Sequence, residues 1–172
     1  MENIYKDLWT TELENALNKQ IETLLSNFAT FEELANHFSN FKVALPGMAK
    51  LLRHEANNEL NNARNLMNYQ NNRGGTVDKV LAIASDITTI ENSDNNMIDC
   101  YKFMLETQKN TYNSILELHE LAINDPTFQN ILTDILKEHL IIHETLHTII
   151  KKLESGGNIF CLLHDNELDN QY

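Results

Sequence analysis

Apolar residues recur at three- and four-residue steps along four long stretches of this chain, which is the periodicity of amphipathic α-helices. A shorter apolar stretch near the C-terminus shows the same spacing before an acidic tail. The pattern predicts four long helices and a short fifth one, over residues 11–39, 46–73, 96–124, 126–155 and 159–168.

Glycine and proline are scarce, with 5 and 2 residues among 172, which favours long uninterrupted helices. Each proline falls in the first turn of a predicted helix, where its missing N–H costs nothing. Each pair of adjacent glycines follows a predicted helix end. Residues 75–95 contain no predicted helix, because polar residues surround their few apolar positions. Such a long connection is typical of a crossover between parallel helices at opposite ends of a bundle.

Two helices, a long crossover, two more helices and a short fifth helix predict an all-α protein. The expected architecture is a left-handed four-helix bundle with one long crossover connection and a short C-terminal helix. A chain of 172 residues is long enough to bury a core, and we expect a single domain over 1–172.

The formal net charge of -12 makes nucleic acids and anionic membranes poor partners. Cys100 and Cys161 do not make a disulfide framework, and they fit a reducing compartment. No apolar run is long enough to span a bilayer, and the first residues lack the pattern of a signal peptide. We therefore expect a cytoplasmic location.

Five short segments, in order along the chain, resemble segments of ferritin subunits. They are Asn-Lys-Gln-Ile at 18–21, Leu-Met-Asn-Tyr-Gln-Asn-Asn-Arg-Gly-Gly at 66–75, Ser-Ile-Leu-Glu-Leu-His at 114–119, Asn-Asp-Pro at 124–126 and Leu-Lys-Glu at 136–138. The resemblance covers nearly the whole chain. It implies a 24-subunit cage, either a homo-oligomer or a hetero-oligomer with catalytic subunits, that stores iron and needs no organic cofactor.

The resemblance also locates the ferroxidase centre, where ferritin-like bundles hold two metal ions with carboxylates and histidines from all four helices. The corresponding positions here are Leu24, Asn58, Glu59, Asn62, Gln108 and His139. Only one of them carries a carboxylate, and desolvated cations without compensating charge are costly. We therefore predict that a functional ferroxidase centre is absent. Glu22 and Glu106 lie two residues from the required positions and are expected to point away.

Three histidines of the fourth predicted helix, His139, His143 and His147, are spaced four residues apart. That spacing suits a metal such as zinc or copper. The alternative is that His139 fills the ferroxidase position and bonds to Glu59, while the other two lie at a helix border or on the surface. Glu59 and His139 are the best remaining pair for a single metal ion.

Other positions implied by the resemblance have also changed. The three-fold channel positions carry Gln129 and Leu132, so the usual acidic funnel for cations is absent. The mineral-nucleating positions carry His54, Asn57, Asn58 and Asn61.

At the four-fold axis the resemblance places three leucines of the fifth helix, Leu162, Leu163 and Leu168. So short an apolar helix is unstable alone, which favours assembly over simple packing on its own bundle.

These observations favour a structural, light-type subunit in intracellular iron storage, acting beside catalytic subunits. The first alternative is a ferritin-derived cage with a non-iron role, as a stress or chaperone protein. The second is a ferroxidase with a rearranged site that uses Glu59, His139 and a third ligand.

Overall fold

The computed structural model describes residues 9–78 and 81–172, and these residues form five helices. α1 packs against α2 and α4, and α5 packs against α4 and α2, so the four long helices close a ring. This arrangement confirms the all-α four-helix bundle with a long connection between its second and third long helices. The helices are α1 Thr11–Ser39, α2 Pro46–Asn72, α3 Thr88–Glu91, α4 Asn96–Leu121 and α5 Pro126–Gln171.

Polar side chains fix where two of the long helices begin. Thr10 Oγ1 accepts a hydrogen bond from Leu13 N at 3.1 Å, and Asp125 Oδ1 accepts one from Phe128 N at the same distance. Both bonds satisfy backbone donors that have no partner inside the helix. α1 has the predicted bounds, α2 ends one residue earlier than predicted, and α4 ends three residues earlier, at Leu121. None of the described helices is long and apolar enough to cross a membrane.

The crossover contains a helical turn that the sequence pattern did not predict. α3 covers only Thr88–Glu91, and the isoleucines at 87 and 90 beside and within it are buried in the core. Asp86 Oδ1 accepts a hydrogen bond from Thr88 N at 2.9 Å and supports the start of the turn. Two apolar anchors are too few to produce a detectable helical period.

A bend at Gly157 divides α5 into two helical parts, which agrees with the predicted long fourth helix followed by a short C-terminal one. One element, α5, covers both ranges, extends to Gln171 and is broken inside by Gly157, whose φ is 63° and ψ -162°. Only glycine adopts this conformation readily, so the chain changes direction there. The C-terminal segment, residues 158–171, then packs against the start of α2, where Asp165 Oδ1 accepts a hydrogen bond from Met48 N at 2.8 Å.

The hydrophobic core has two parts, one toward each end of the bundle. One part contains Phe31, Leu52, Tyr101 and Leu146, and the other contains Leu17, Leu24, Leu66, Ile115 and Leu132. Between these parts, each long helix contributes a polar side chain. We call this set the polar layer; it consists of Asn27, Glu59, Gln108, Thr111 and His139.

Candidate functional site

The polar layer brings together residues from all four long helices in the middle of the bundle. Glu59, Gln108 and His139 are 3 %, 1 % and 2 % exposed, and Thr111 is equally buried. Helical spacing explains their position, because each lies on the inward-facing stripe of its helix between apolar neighbours. The layer occupies the region where the resemblance placed the ferroxidase centre.

Glu59 is the one carboxyl group of this layer, and Asn27 is its main partner. Asn27 Nδ2 donates to Glu59 Oε2 at 3.2 Å and to Thr111 Oγ1 at 3.0 Å. Burial raises the pKa of Glu59 to about 8, and the nearby carboxylates of Glu55 and Glu138 add to the increase. At neutral pH the group is therefore mostly protonated, and a cation must displace that proton before it gains an anionic ligand.

The hydrogen bond of His139 differs from the one expected. Its Nδ1 lies against Gln108 Oε1, which only accepts, so Nδ1 carries the proton. The alternative that His139 bonds to Glu59 was therefore wrong. The reason is geometric: the amide of Gln108 reaches the imidazole from α4. The other ring nitrogen, Nε2, is buried and has no hydrogen-bond partner. Burial lowers the pKa of His139 to about 4, so the ring is neutral at pH 7.

Gln108 links the two titratable groups of the layer. Its amide lies near enough to Glu59 to favour the ionised carboxylate, although its Nε2 makes no hydrogen bond. A carboxylate at this position would have supplied charge to a metal ion, whereas the amide supplies none.

Asn27 and Thr111 were missed by the sequence analysis. The available signal was their helical spacing, since Asn27 follows Leu24 by three residues on the same face.

The remaining ferroxidase positions contribute no charge. Leu24 is fully buried in the hydrophobic core, while Asn58 and Asn62 are only half-buried on α2. Glu22 and Glu106 are exposed, as their two-residue offset predicted. Within residues 9–78 and 81–172, no three His, Cys, Asp or Glu side chains converge closely enough to hold a metal ion.

The three histidines of α5 share a helix face but differ in their surroundings. His139 is buried, His143 is half-buried and His147 is exposed. The rings of His143 and His147 make an edge contact, with centroids 5.8 Å apart. His139 and His143 line a cavity of about 200 Å³, and His147 does not.

The two positions assigned to a three-fold channel have different environments. Gln129 is half-buried, and its Nε2 donates to the backbone oxygen of His119 at 3.4 Å. Leu132 is 0 % exposed and packs in the hydrophobic core with Phe128 and Ile135. Its assignment to a channel was wrong, because it lies on the inward stripe of α5.

The three leucines assigned to a four-fold axis also differ in their exposure to solvent. Leu168 is 5 % exposed and packs in the hydrophobic core, so its assignment to an intersubunit axis was wrong. It lies three residues after Asp165, on the face that packs against α2. Leu162 and Leu163 are 63 % and 56 % exposed. With two further exposed residues they form what we call the apolar patch: Ile159, Phe160, Leu162 and Leu163.

Comparisons with known proteins agree with this architecture. A family model described as "Ferritin-like domain" matches residues 14–155. The ferritin middle subunit of Salmo salar is 29 % identical over 156 residues, which cover 89 % of this chain and 82 % of that protein. The soma ferritin of Lymnaea stagnalis is 28 % identical over 131 residues, covering 76 % and 71 %. The crystal structure of a ferritin from the green alga Ulva pertusa matches with a TM-score of 0.86 at 24 % identity, covering 94 % of this chain and 85 % of that one.

Proposed function

This chain belongs to the ferritin family, and on that premise we propose that it is an iron-storage cage subunit that does not itself oxidise iron. Storage of iron is the general role of the family. We propose further that this chain lacks a ferroxidase centre and contributes to the wall of the cage.

The composition of the polar layer is the observation that supports the missing centre. Its five side chains are one carboxyl, two amides, one hydroxyl and one neutral imidazole. The carboxyl, that of Glu59, holds its proton up to a pH of about 8. Two iron ions in this buried space would carry positive charge that no side chain of the layer balances. The desolvation penalty of several kcal/mol per ion would then outweigh the few contacts available.

A structural role follows if the chain assembles beside catalytic subunits. In that arrangement the partners oxidise ferrous iron, and this chain supplies the wall of a cytoplasmic cage of 24 subunits, alone or mixed. The apolar patch supports assembly, because four large apolar side chains lie together on the exposed side of the C-terminal segment. Surfaces of this kind mark protein–protein contacts more often than free surface.

The direct test is ferrous oxidation in air by the purified chain alone. We expect no rapid phase that saturates at a fixed ratio of iron to subunit. The slow background rate is expected to be the same in the Glu59→Gln variant, which keeps the shape of the side chain and removes its charge. A rapid saturable phase in the wild type that Glu59→Gln abolishes would contradict the proposal.

A converse experiment restores the missing ligands. The triple variant Leu24→Glu, Asn62→His and Gln108→Glu returns to the layer the residue types that the family uses. We expect it to gain a rapid oxidation phase, provided that size-exclusion chromatography shows the same assembly as the wild type. An intact triple variant that stays as slow as the wild type would show that the side chains of the layer are not what limits oxidation.

A cage without a role in iron storage is the second candidate. It is favoured by the lack of acidic residues at the mineral-nucleating positions: His54, Asn57 and Asn61 are exposed but carry no carboxylate. The metal content of the protein isolated from its source separates the two candidates. A dense iron core supports storage, and an empty cage supports the second candidate. A rearranged ferroxidase has less support, since no third acidic, histidine or cysteine ligand joins Glu59 and His139 among the described residues.

A further inference from the structure

One side of the C-terminal segment is attached to the bundle by polar contacts with α2 and α4. Asp165 Oδ1 accepts a hydrogen bond from Met48 N at the start of α2. On α4, the hydroxyl oxygen of Tyr101 lies 2.7 Å from His164 Nε2. Leu168 packs in the hydrophobic core beside these contacts. The segment is therefore docked by a few specific bonds on this side.

The other side of the segment faces a cavity of about 770 Å³, which separates it from the part of α5 before the bend. Ile149 and Leu153 line one wall of this cavity, and Phe160 and Leu163 line the other. The ring of His164 lies between them, and its side chain is 17 % exposed. The segment thus has room to move about the bend, and protons can reach the His164 ring from solvent.

The contact between Tyr101 and His164 requires a neutral imidazole. Tyr101 is 0 % exposed, and among the described residues His164 Nε2 is the hydrogen-bond partner of its hydroxyl. A buried phenol donor needs an acceptor, and Nε2 supplies one only when it carries no proton. The ring proton is therefore on Nδ1, which lies 3.9 Å from Glu167 Oε2.

We propose that Tyr101 and His164 form a proton-sensitive latch: protonation of the imidazole removes the acceptor of the Tyr101 hydroxyl and frees the C-terminal segment to swing about Gly157. With both ring nitrogens protonated, the phenol hydrogen is buried without a partner and carries the full desolvation penalty of that group. In the open position both groups reach water. Proton binding therefore favours opening.

The surroundings of His164 determine the pH range of the latch. Burial lowers the pKa of His164 from its ordinary value of 6.5, and Lys152 of α5 adds to the decrease, whereas Glu167 and Asp165 oppose it. The open segment therefore binds a proton more readily than the closed one. The stability of the closed position is fully present above pH 6.5 and is lost as the pH falls below this value.

The helices that the segment contacts add no competing titration near neutral pH. Burial raises the pKa values of Tyr101 and of Cys100 beside it on α4, so both groups stay neutral at pH 7 and below. From α2, the ammonium group of Lys50 binds Asp169 at 3.0 Å. The imidazole of His164 is therefore the group through which acidity acts on the latch.

The C-terminal segment also carries the apolar patch. Opening of the latch in acid is therefore expected to weaken contacts made through the patch. This consequence rests on the proposed assembly, whereas the latch itself is a property of the single chain.

Hydrogen exchange of the purified chain at pH 7.5 and 5, corrected for the intrinsic pH dependence of amide exchange, measures the opening. Protection of residues 158–171 is expected to fall by about fivefold or more at the lower pH, the factor that corresponds to one unsatisfied buried donor. In His164→Gln, whose amide oxygen accepts from Tyr101 at either pH, protection should not fall. His147→Gln, at an exposed histidine before the bend, is the matched control and should keep the wild-type fall.

A second readout follows the titration of His164 itself. Exchange of the imidazole C2 hydrogen with deuterium, measured by mass spectrometry, gives the pKa of each histidine. The pKa of His164 should lie below 6.5 in the wild type and rise in Tyr101→Phe, which removes only the hydroxyl.

Three results would overturn the latch. They are a wild type whose protection at residues 158–171 does not fall, a His164→Gln variant that falls as the wild type does, and a pKa of His164 at or above 6.5, which needs no variant. Sedimentation velocity reports assembly separately, so failure of the cage proposal and failure of the latch are distinguishable.

Discussion

Glu59 and His139 are titratable side chains in one buried layer, and their pKa values move in opposite directions. Burial raises the pKa of Glu59 from 4.5 to about 8 and lowers that of His139 from 6.5 to about 4. Both shifts favour the neutral form, because neither side chain has an opposite charge beside it. The layer is thus held together at pH 7 by hydrogen bonds between uncharged groups, and this determines how its stability depends on pH.

The signs of the two shifts predict a stability profile with two phases. Between pH 4.5 and 8, folded Glu59 keeps a proton that the unfolded chain has lost, so its contribution falls as the pH rises. Between pH 4 and 6.5, the unfolded chain binds a proton at His139 that the folded chain does not, so that contribution rises with pH. The two contributions to the free energy of unfolding nearly cancel between pH 4.5 and 6.5. Between pH 6.5 and 8 only the decline due to Glu59 remains.

Melting temperatures of matched variants, measured from pH 4 to 9, check this profile. The melting temperature of the wild type minus that of Glu59→Gln is expected to fall from pH 4.5 to 8 and to stay constant above pH 8. For His139→Gln, the corresponding change occurs between pH 4 and 6.5 and has the opposite sign. Differences in melting temperature that stay constant with pH in both pairs would show that the pKa values of these side chains are not shifted in the folded protein.

The sequence identified most residues of the site but not how they pair. The ferritin-like motifs located Leu24, Glu59, Gln108 and His139, because a matched motif fixes the position of each nearby residue along its helix. The bond between His139 and Gln108, and the contact of Asn27 with Glu59, depend on how α1, α2, α4 and α5 are rotated against one another. Rotation is set by packing of the whole core, so a single sequence does not determine which buried polar atoms meet.

At the scale of elements, the end of α2 and the start of α5 are joined by a buried ion pair. Arg73 donates to Asp125 Oδ1 at 2.9 Å, and Tyr69 donates its hydroxyl hydrogen to Asp125 Oδ2 at 2.5 Å. Asp125 is 2 % exposed and also caps α5 through Phe128 N. The Asp125 carboxylate therefore accepts hydrogen bonds from the guanidinium group of Arg73, the phenol of Tyr69 and the N-terminus of α5.

We expect Asp125→Asn to destabilise the protein by about 3 kcal/mol, because it removes one partner of a buried pair and leaves the other charge uncompensated. Chemical denaturation followed by circular dichroism measures the change. Asp134→Asn is the control, since Asp134 forms an exposed pair with Lys137 at 3.2 Å. Exposed pairs of this kind contribute about 0.2–1 kcal/mol or nothing measurable. Equal effects of the two substitutions would contradict the assignment.

Gly157 determines the direction of the C-terminal segment. Because its φ and ψ lie in a region that is essentially reserved for glycine, Gly157→Ala is expected to cost about 1–3 kcal/mol. The cost should be local, and hydrogen exchange in residues 158–171 should accelerate more than in α1. Asn158→Ala, at the exposed neighbouring residue, should leave exchange unchanged. Uniform acceleration throughout the chain would show that the bend does not act locally.

The helix termini illustrate what local sequence decides. Thr10, Pro46 and Pro126 marked helix starts correctly, because capping and proline geometry act within a few residues. The turn α3 was missed, since its stability comes from burying two isoleucines under the crossover. The glycine pair at 156–157 marked the break within α5 correctly, because glycine readily adopts the backbone angles at which a helix ends.

For the whole molecule, the apolar patch is the feature on which the proposed assembly rests. Its four side chains range from 47 % to 74 % exposed in the single chain. Burying a large apolar side chain contributes about 1.5–3 kcal/mol, so repeated contacts through this patch would stabilise a closed oligomer substantially. A monomer that kept the patch in water would carry a surface prone to aggregation.

The double variant Leu162→Glu and Leu163→Glu is expected to shift the protein from a large assembly to smaller species, because each contact would bury unpaired carboxylates. Sedimentation velocity measures the shift. The matched control, Asn166→Glu and Asn170→Glu, adds the same charge at exposed polar positions of the same segment. If both double variants sediment as the wild type does, assembly does not depend on this patch.

The hydrogen bond from Met48 N to Asp165 Oδ1 connects residues 117 positions apart in the chain. During synthesis, α2 leaves the ribosome long before Asp165 is made, and its first turn must meanwhile rely on water for this donor. Completion of the second helix therefore waits for one of the last parts of the chain. A chain that ended after residue 157 would contain α5 only as far as the bend, and Met48 N at the start of α2 would lack its carboxylate partner.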